Sequence, residues 1–163
     1  TLLKALTEIR SEVEIAMIPT RIPKIKGFTL NEFINLSCYN KQNADSDKAL
    51  KKLALSHLAD RDISTLSDGE FQKGTIAAAI AKGAEIILMD EPTAFLDTEN
   101  RRNVLSTLRK LCEETGTAVI FSSHDLYEAL ETCNKVIALG ADRQCHISSE
   151  NLKDTISAIF SKD

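Results

Sequence analysis

Apolar residues at Leu2, Leu3, Leu6 and Ile9, with polar residues between, give TLLKALTEIR the spacing of an amphipathic helix. The period then changes. VEIAMIP, from Val13 to Pro19, is a mostly apolar run that predicts a short buried strand, ended by Pro19 and the basic stretch TRIPKIKG. Residues 29–60 return to helical spacing, first in FTLNEFINL and then in DSDKALKKLALSHL. The acidic first turn of the second stretch, at Asp45 and Asp47, suits the positive end of a helix dipole.

From Leu66 the chain alternates. LSDGEFQKG leads into the Ala-rich helix IAAAIAKG, closed at Gly83, and EIILMDEP then reads as a strand ending in two carboxylates. Asp97 to Thr115 is a predicted helix capped by Gly116. TAVIFSSHD repeats the strand plan, Leu126 to Cys133 reads as a helix, KVIAL as a strand and RQCHI as a last edge strand. Ser149 is placed to cap a C-terminal helix over Leu152 to Phe160. Strands alternating with helices predict an α/β fold: a mostly parallel sheet flanked by helices.

Composition narrows the function little but excludes some classes. A net charge of −4 argues against a dominant surface for nucleic acid or anionic lipid. No apolar run approaches the roughly 18 residues of a transmembrane helix. Cys38, Cys112, Cys133 and Cys145 are scattered without a CxxC, as reduced thiols are. Cys145 and His146 are adjacent, and without a second pair they read as strand residues rather than metal ligands.

The chemistry sits at the strand ends, where open α/β sheets bind ligands. Asp90 and Glu91 follow IILM, and His124 follows VIFSS. An apolar run ending in Asp-Glu is a Walker B pattern, in which the first carboxylate holds Mg²⁺ through water and the second polarises the attacking water. Alone, the same residues also describe an ordinary strand-end turn.

The surrounding motifs decide between these. LSDGE at 66–70, IILMDE at 86–91, AFLD at 94–97 and SSHD at 122–125, in that order, resemble the signature motif, Walker B, D-loop and switch histidine of the ATP-binding cassette (ABC) ATPases. The resemblance runs from Leu66 to about Leu139. In LSDGE, DEPTAFLD and SSHDL it is strongest to the subgroup that energises import of iron–siderophore, haem or cobalamin. It implies a P-loop NTPase-like fold with an inserted helical subdomain: residues 1–19 from the nucleotide-binding core, 20–82 the permease-contacting helical part with the signature, and 83–163 the core carrying the remaining motifs.

It also implies roles. Ser67, Asp68, Gly69 and Glu70 open a helix whose free N–H groups face the γ-phosphate of ATP held by a second subunit, so the chain acts as a homodimer. Ser67 adds a hydroxyl, and Gly69 lets the backbone approach closely; Ser67 also serves as an ordinary helix cap. Glu91 is the general base, His124 contacts the γ-phosphate, Asp90 holds Mg²⁺, and Asp97 bridges the dimer or caps its helix. The expected partners are a second ATPase subunit, an integral-membrane permease and, indirectly, a substrate-binding protein, with no nucleic acid. The location is the cytoplasmic face of the inner membrane.

Departures from the family qualify this. The family carries Gly-x-x-Gly-x-Gly-Lys-Ser/Thr before a helix that often reads TLLK; here TLLKAL occupies residues 1–6, Thr1 stands at the nucleotide end of that helix, and no glycine precedes Gly27. The stretch from Thr1 to Pro19 spans 19 residues where the family usually has roughly 40, so that it is either shortened or missing residues, and without the loop this chain alone is expected to bind ATP poorly and to be inactive. Thr20 occupies the place of a glutamine and reaches less far toward a metal-bound water. The signature helix reads FQKGTIAAAIAKG where relatives commonly carry arginines near Phe71 and Ala78, and Asp68 replaces a more usual glycine, adding negative charge beside a phosphate site. The alternatives are a truncated, non-catalytic ABC module and a non-transport ABC ATPase of DNA maintenance.

Overall fold

Ile86–Asp90 is the middle strand of a three-stranded parallel sheet, and Ile87, Leu88 and Met89 within it are buried on both faces. Such burial on both sides is what a continuous apolar run in a parallel strand requires. In the computed structural model, residues 3, 13–39, 41, 44–125, 130–139 and 145–149 are described, and the chain divides into two units, residues 1–122 and 123–163.

The first unit holds β1 (Ile15–Ile18), α1 (Leu30–Ser37), α2 (Ser46–Lys52), α3 (Asp68–Ala81), β2 (Ile86–Asp90), α4 (Thr98–Thr115) and β3 (Ala118–Ser122). The strand order is β1-β2-β3, with Ile18 opposite Met89 and Asp90 opposite Ser122. That register brings the two polar strand ends side by side. α3 is buried almost all round, including Ile76, Ala77, Ala78 and Ala79, so the alanines serve both helix propensity and close packing. Val104, Leu108 and Leu111 supply the buried stripe of α4. Thr29 and Glu32 form a reciprocal cap on α1, and Gly116 ends α4 in the left-handed region at φ +71°.

DSDKALKKLALSHL is not one helix. α2 stops at Lys52, Ala54 turns to φ +55°, and a 3₁₀ turn follows over Ser56–Leu58. The Leu55 N–H donates to Leu50 O (2.8 Å) and the Ala54 N–H to Lys51 O (3.1 Å), a Schellman closure with alanine in the position glycine favours. The cause is burial. Leu50, Leu53, Leu55 and Leu58 are all buried, and a straight helix would spread them too widely around its axis to face one core.

In the second unit, β4 (Val136–Leu139) pairs antiparallel with β5 (Cys145–Ser148), matching the expected strands KVIAL and RQCHI. Residues 130–132 are helical, whereas 126–129 lie outside the described residues. So do Thr1, the opening helix apart from the buried, helical Leu3, and the expected C-terminal helix. Among the described residues no helix is long and apolar enough to cross a membrane.

Candidate active site

The β2 end is built as a hydroxyl clamp on one carboxylate. Thr20, just after β1, donates to Asp90 Oδ2 at 2.9 Å, and Ser122, at the end of β3, donates to Asp90 Oδ1 at 2.8 Å. Ser122 Oγ also accepts the backbone N–H of Glu91 at 3.0 Å. Glu91 itself stands at φ +47°, a left-handed conformation uncommon for a residue with a Cβ and frequent at functional sites. Asp90, Glu91 and Thr20 stand out in the sequence, and Ser122 does not. Its only sequence signal is its place as the last residue of the strand in SSHD.

Removing the Ser122 hydroxyl takes one partner from Asp90 and one from the Glu91 turn. Ser122→Ala is therefore expected to lower unfolding free energy by about 1–2 kcal/mol, read from denaturant titration, with Ser122→Thr costing less.

The second part of the site is the start of α3. Glu70 Oε2 accepts from Ser67 N at 2.8 Å while Ser67 Oγ accepts from Glu70 N at 3.2 Å, a complete capping box. Within the helix this leaves the N–H groups of Asp68 and Gly69 without an i−4 acceptor, aimed out of the helix end. Glu70 is thus engaged as a cap. A Cβ at Gly69 would lie 2.5 Å from Asn100 Oδ1, so the Asn100 side chain would have to shift to admit one. Asn100 in turn is held by Asp97, whose Oδ1 accepts Asn100 N and Oδ2 accepts Asn100 Nδ2, both at 2.8 Å. Asp97 caps α4 through these bonds. Between the Leu66–Asp68 and Phe95–Asp97 segments lies an open groove of about 410 Å³, flanked by Lys24 and Asn100.

The Ser67 N–H holds the Glu70 carboxyl below its ordinary range, and the Asn100 N–H does the same for Asp97. A lowered native value stabilises the fold above the ordinary carboxylate range and is lost as pH falls through it. Unfolding free energy is accordingly expected to be flat between about pH 5 and 8 and to decline below about pH 4, measured by urea titration across that range.

His124 belongs to the second unit, where it is exposed in a turn closed by Ser123 Oγ accepting from Asp125 N at 3.0 Å. Thr1 lies outside the described residues. The oxygen-only set around Asp90 fits Mg²⁺, a hard cation usually held by one or two carboxylates together with substrate phosphates.

A protein-family model of ABC transporters matches residues 2–94, which include the signature motif and the Asp90–Glu91 pair. The chain belongs to the ABC transporter family. Among curated relatives of this ABC chain, the phosphonates import ATP-binding protein PhnC of Shigella dysenteriae serotype 1 (strain Sd197) is 37% identical over 116 residues. That alignment covers 71% of this chain but 42% of the relative, so the chain spans less than half the length of that protein. Among solved structures, a protein described as a metal-chelate type ABC transporter in an inward-facing conformation matches with a TM-score of 0.84 and 26% identity, over 98% of this chain and 73% of that one. The ATP-binding cassette MJ0796, in a dimeric post-hydrolysis state bound to ADP and Pi, matches at 0.62 with 29% identity, over 82% and 61%. These likenesses bear out the α/β, P-loop NTPase-like fold expected from the motifs.

Proposed function

We propose that this chain is part of the ATP-hydrolysing subunit of an ABC importer that works as a homodimer against a membrane permease at the cytoplasmic face of the membrane. The observation that carries this reading is the Asp90–Glu91 pair at the carboxyl edge of a parallel sheet, its first carboxylate clamped by two hydroxyls and its second residue held at positive φ. Asp90 is the residue to hold Mg²⁺ through water, with Thr20 and Ser122 fixing its rotamer. The ion, when bound, supplies charge neutralisation on the phosphates of ATP. Glu91 takes the proton of the attacking water, and His124 orients the γ-phosphate. Ser67 and the amides of Asp68 and Gly69 bind the γ-phosphate of the ATP held by the opposite copy. Asp97 reports that occupancy across the dimer.

For cargo, the likeness to a metal-chelate type transporter supports the iron–siderophore, haem or cobalamin class, and the PhnC relative favours phosphonate as the second reading. The importer name of that relative and the net charge of −4 weigh against DNA maintenance. The test is uptake by cells lacking the gene. Loss of labelled metal-chelate uptake, with phosphonate uptake intact, is expected; the reverse pattern would reassign the cargo, and loss of neither would overturn the importer reading.

A further inference from the structure

Asp68 puts a negative charge at the first residue of α3, close to where the proposed function requires a phosphate. The structure supplies a countercharge from a distant segment. Lys24 Nζ lies 2.6 Å from Asp68 Oδ1, donates to Leu66 O at 2.7 Å, and stands 5.7 Å over the Phe71 ring. Lys24 is the less accessible partner, with a side chain 23% exposed against 65% for Asp68. It also lines the groove between the signature and D-loop segments.

The residues on either side of Lys24 are tied down as well. In the same stretch Thr20 bonds Asp90, Arg21 lies 3.9 Å over the ring of Phe95, and the Gly27 N–H donates to Asp62 Oδ2 at 2.8 Å. One short segment therefore touches the carboxylate that would hold Mg²⁺, the D-loop and the signature turn. An exposed ion pair alone adds little stability. A charge within a Debye length of about 8 Å of a bound polyanion, however, acts directly on its affinity.

We propose that Lys24 is a positioning residue for nucleotide: it neutralises Asp68 and fixes the Leu66–Ser67 turn, so that the α3 N-terminus presents a net attractive field to a γ-phosphate. An aspartate is tolerated in the signature motif because Lys24 stands beside it. This rests on the ATPase reading above.

The test is steady-state hydrolysis of MgATP by the protein at its natural length. Lys24→Met is expected to raise KM about tenfold, with kcat affected less, and Lys24→Arg to restore most of the loss. The penalty of Lys24→Met should shrink severalfold when the substitution is made on top of Asp68→Gly, because the charge it offsets is gone. Thermal midpoints within a few degrees of wild type would accompany these changes. An unchanged KM in Lys24→Met, or an equal penalty with and without Asp68, would overturn the inference. A wild-type protein that does not hydrolyse ATP would instead overturn the ATPase reading on which it rests.

Discussion

Replacing Glu91 by glutamine is expected to cut ATP turnover by about 10²–10³-fold while leaving MgATP bound, because the amide keeps the shape of the side chain but cannot accept the proton of the attacking water. The backbone explains why position matters as much as chemistry. At φ +47°, with its N–H on Ser122 Oγ, Glu91 leaves the strand direction abruptly at the sheet edge, and Asp90 stays behind in the hydroxyl clamp. Two adjacent carboxylates are thereby given different surroundings, as the separate tasks proposed for them require. The measurement is phosphate release set beside nucleotide retention. A dimer that holds ATP without turning it over is the expected state of Glu91→Gln, and undiminished turnover would remove Glu91 from the role of base.

The largest loss of stability is expected at the middle of β2. Ile87 is fully buried in the central strand, in register with Ala16 on one side and Val119 on the other. Ile87→Ala removes three carbons from a site whose neighbours are fixed by two parallel ladders, so the cavity cannot close. Unfolding free energy should fall by about 2–5 kcal/mol, seen as a lower denaturant midpoint with an unchanged slope. By contrast Leu36, 60% exposed on α1, should cost less than about 1 kcal/mol when cut to alanine. Equal losses at the two positions would contradict the assignment of the core.

The elements that were legible in the sequence are those whose ends carry their own chemistry. Ser67 with Glu70 and Asp97 before Asn100 mark helix starts by side-chain caps, and Gly116 marks an end by its left-handed backbone. The apolar runs IILM and VIF read directly as strands because both are short, bounded and rich in β-formers. The break after α2 was not legible, since Ala54 carries no turn signal and only the joint burial of Leu53, Leu55 and Leu58 enforces it.

The site divides in the same way. Asp90, Glu91 and Ser67 sit in contiguous motifs, whereas their supports come from far along the chain. Ser122 and Thr20 meet Asp90 only through the parallel register, and Lys24 meets Asp68 across 44 positions. Local pattern cannot report such pairings. Gly69 adds a contact of the same kind: a Cβ there would lie 2.5 Å from Asn100 Oδ1 on α4, a neighbour that no local pattern reports.

In the proposed homodimer each active site is completed by a second copy, with Asp90 and Glu91 from one and Ser67 from the other. Two variants of the natural-length protein, Glu91→Gln and Ser67→Arg, should each be inactive as homodimers. Mixed and allowed to exchange subunits, they form heterodimers in which one site carries both lesions and the other carries none. Recovery of ATP hydrolysis on mixing is the expected result. A mixture as inactive as its components, with subunit exchange demonstrated, would place Ser67 and Glu91 in the same copy's site and refute the shared-site dimer.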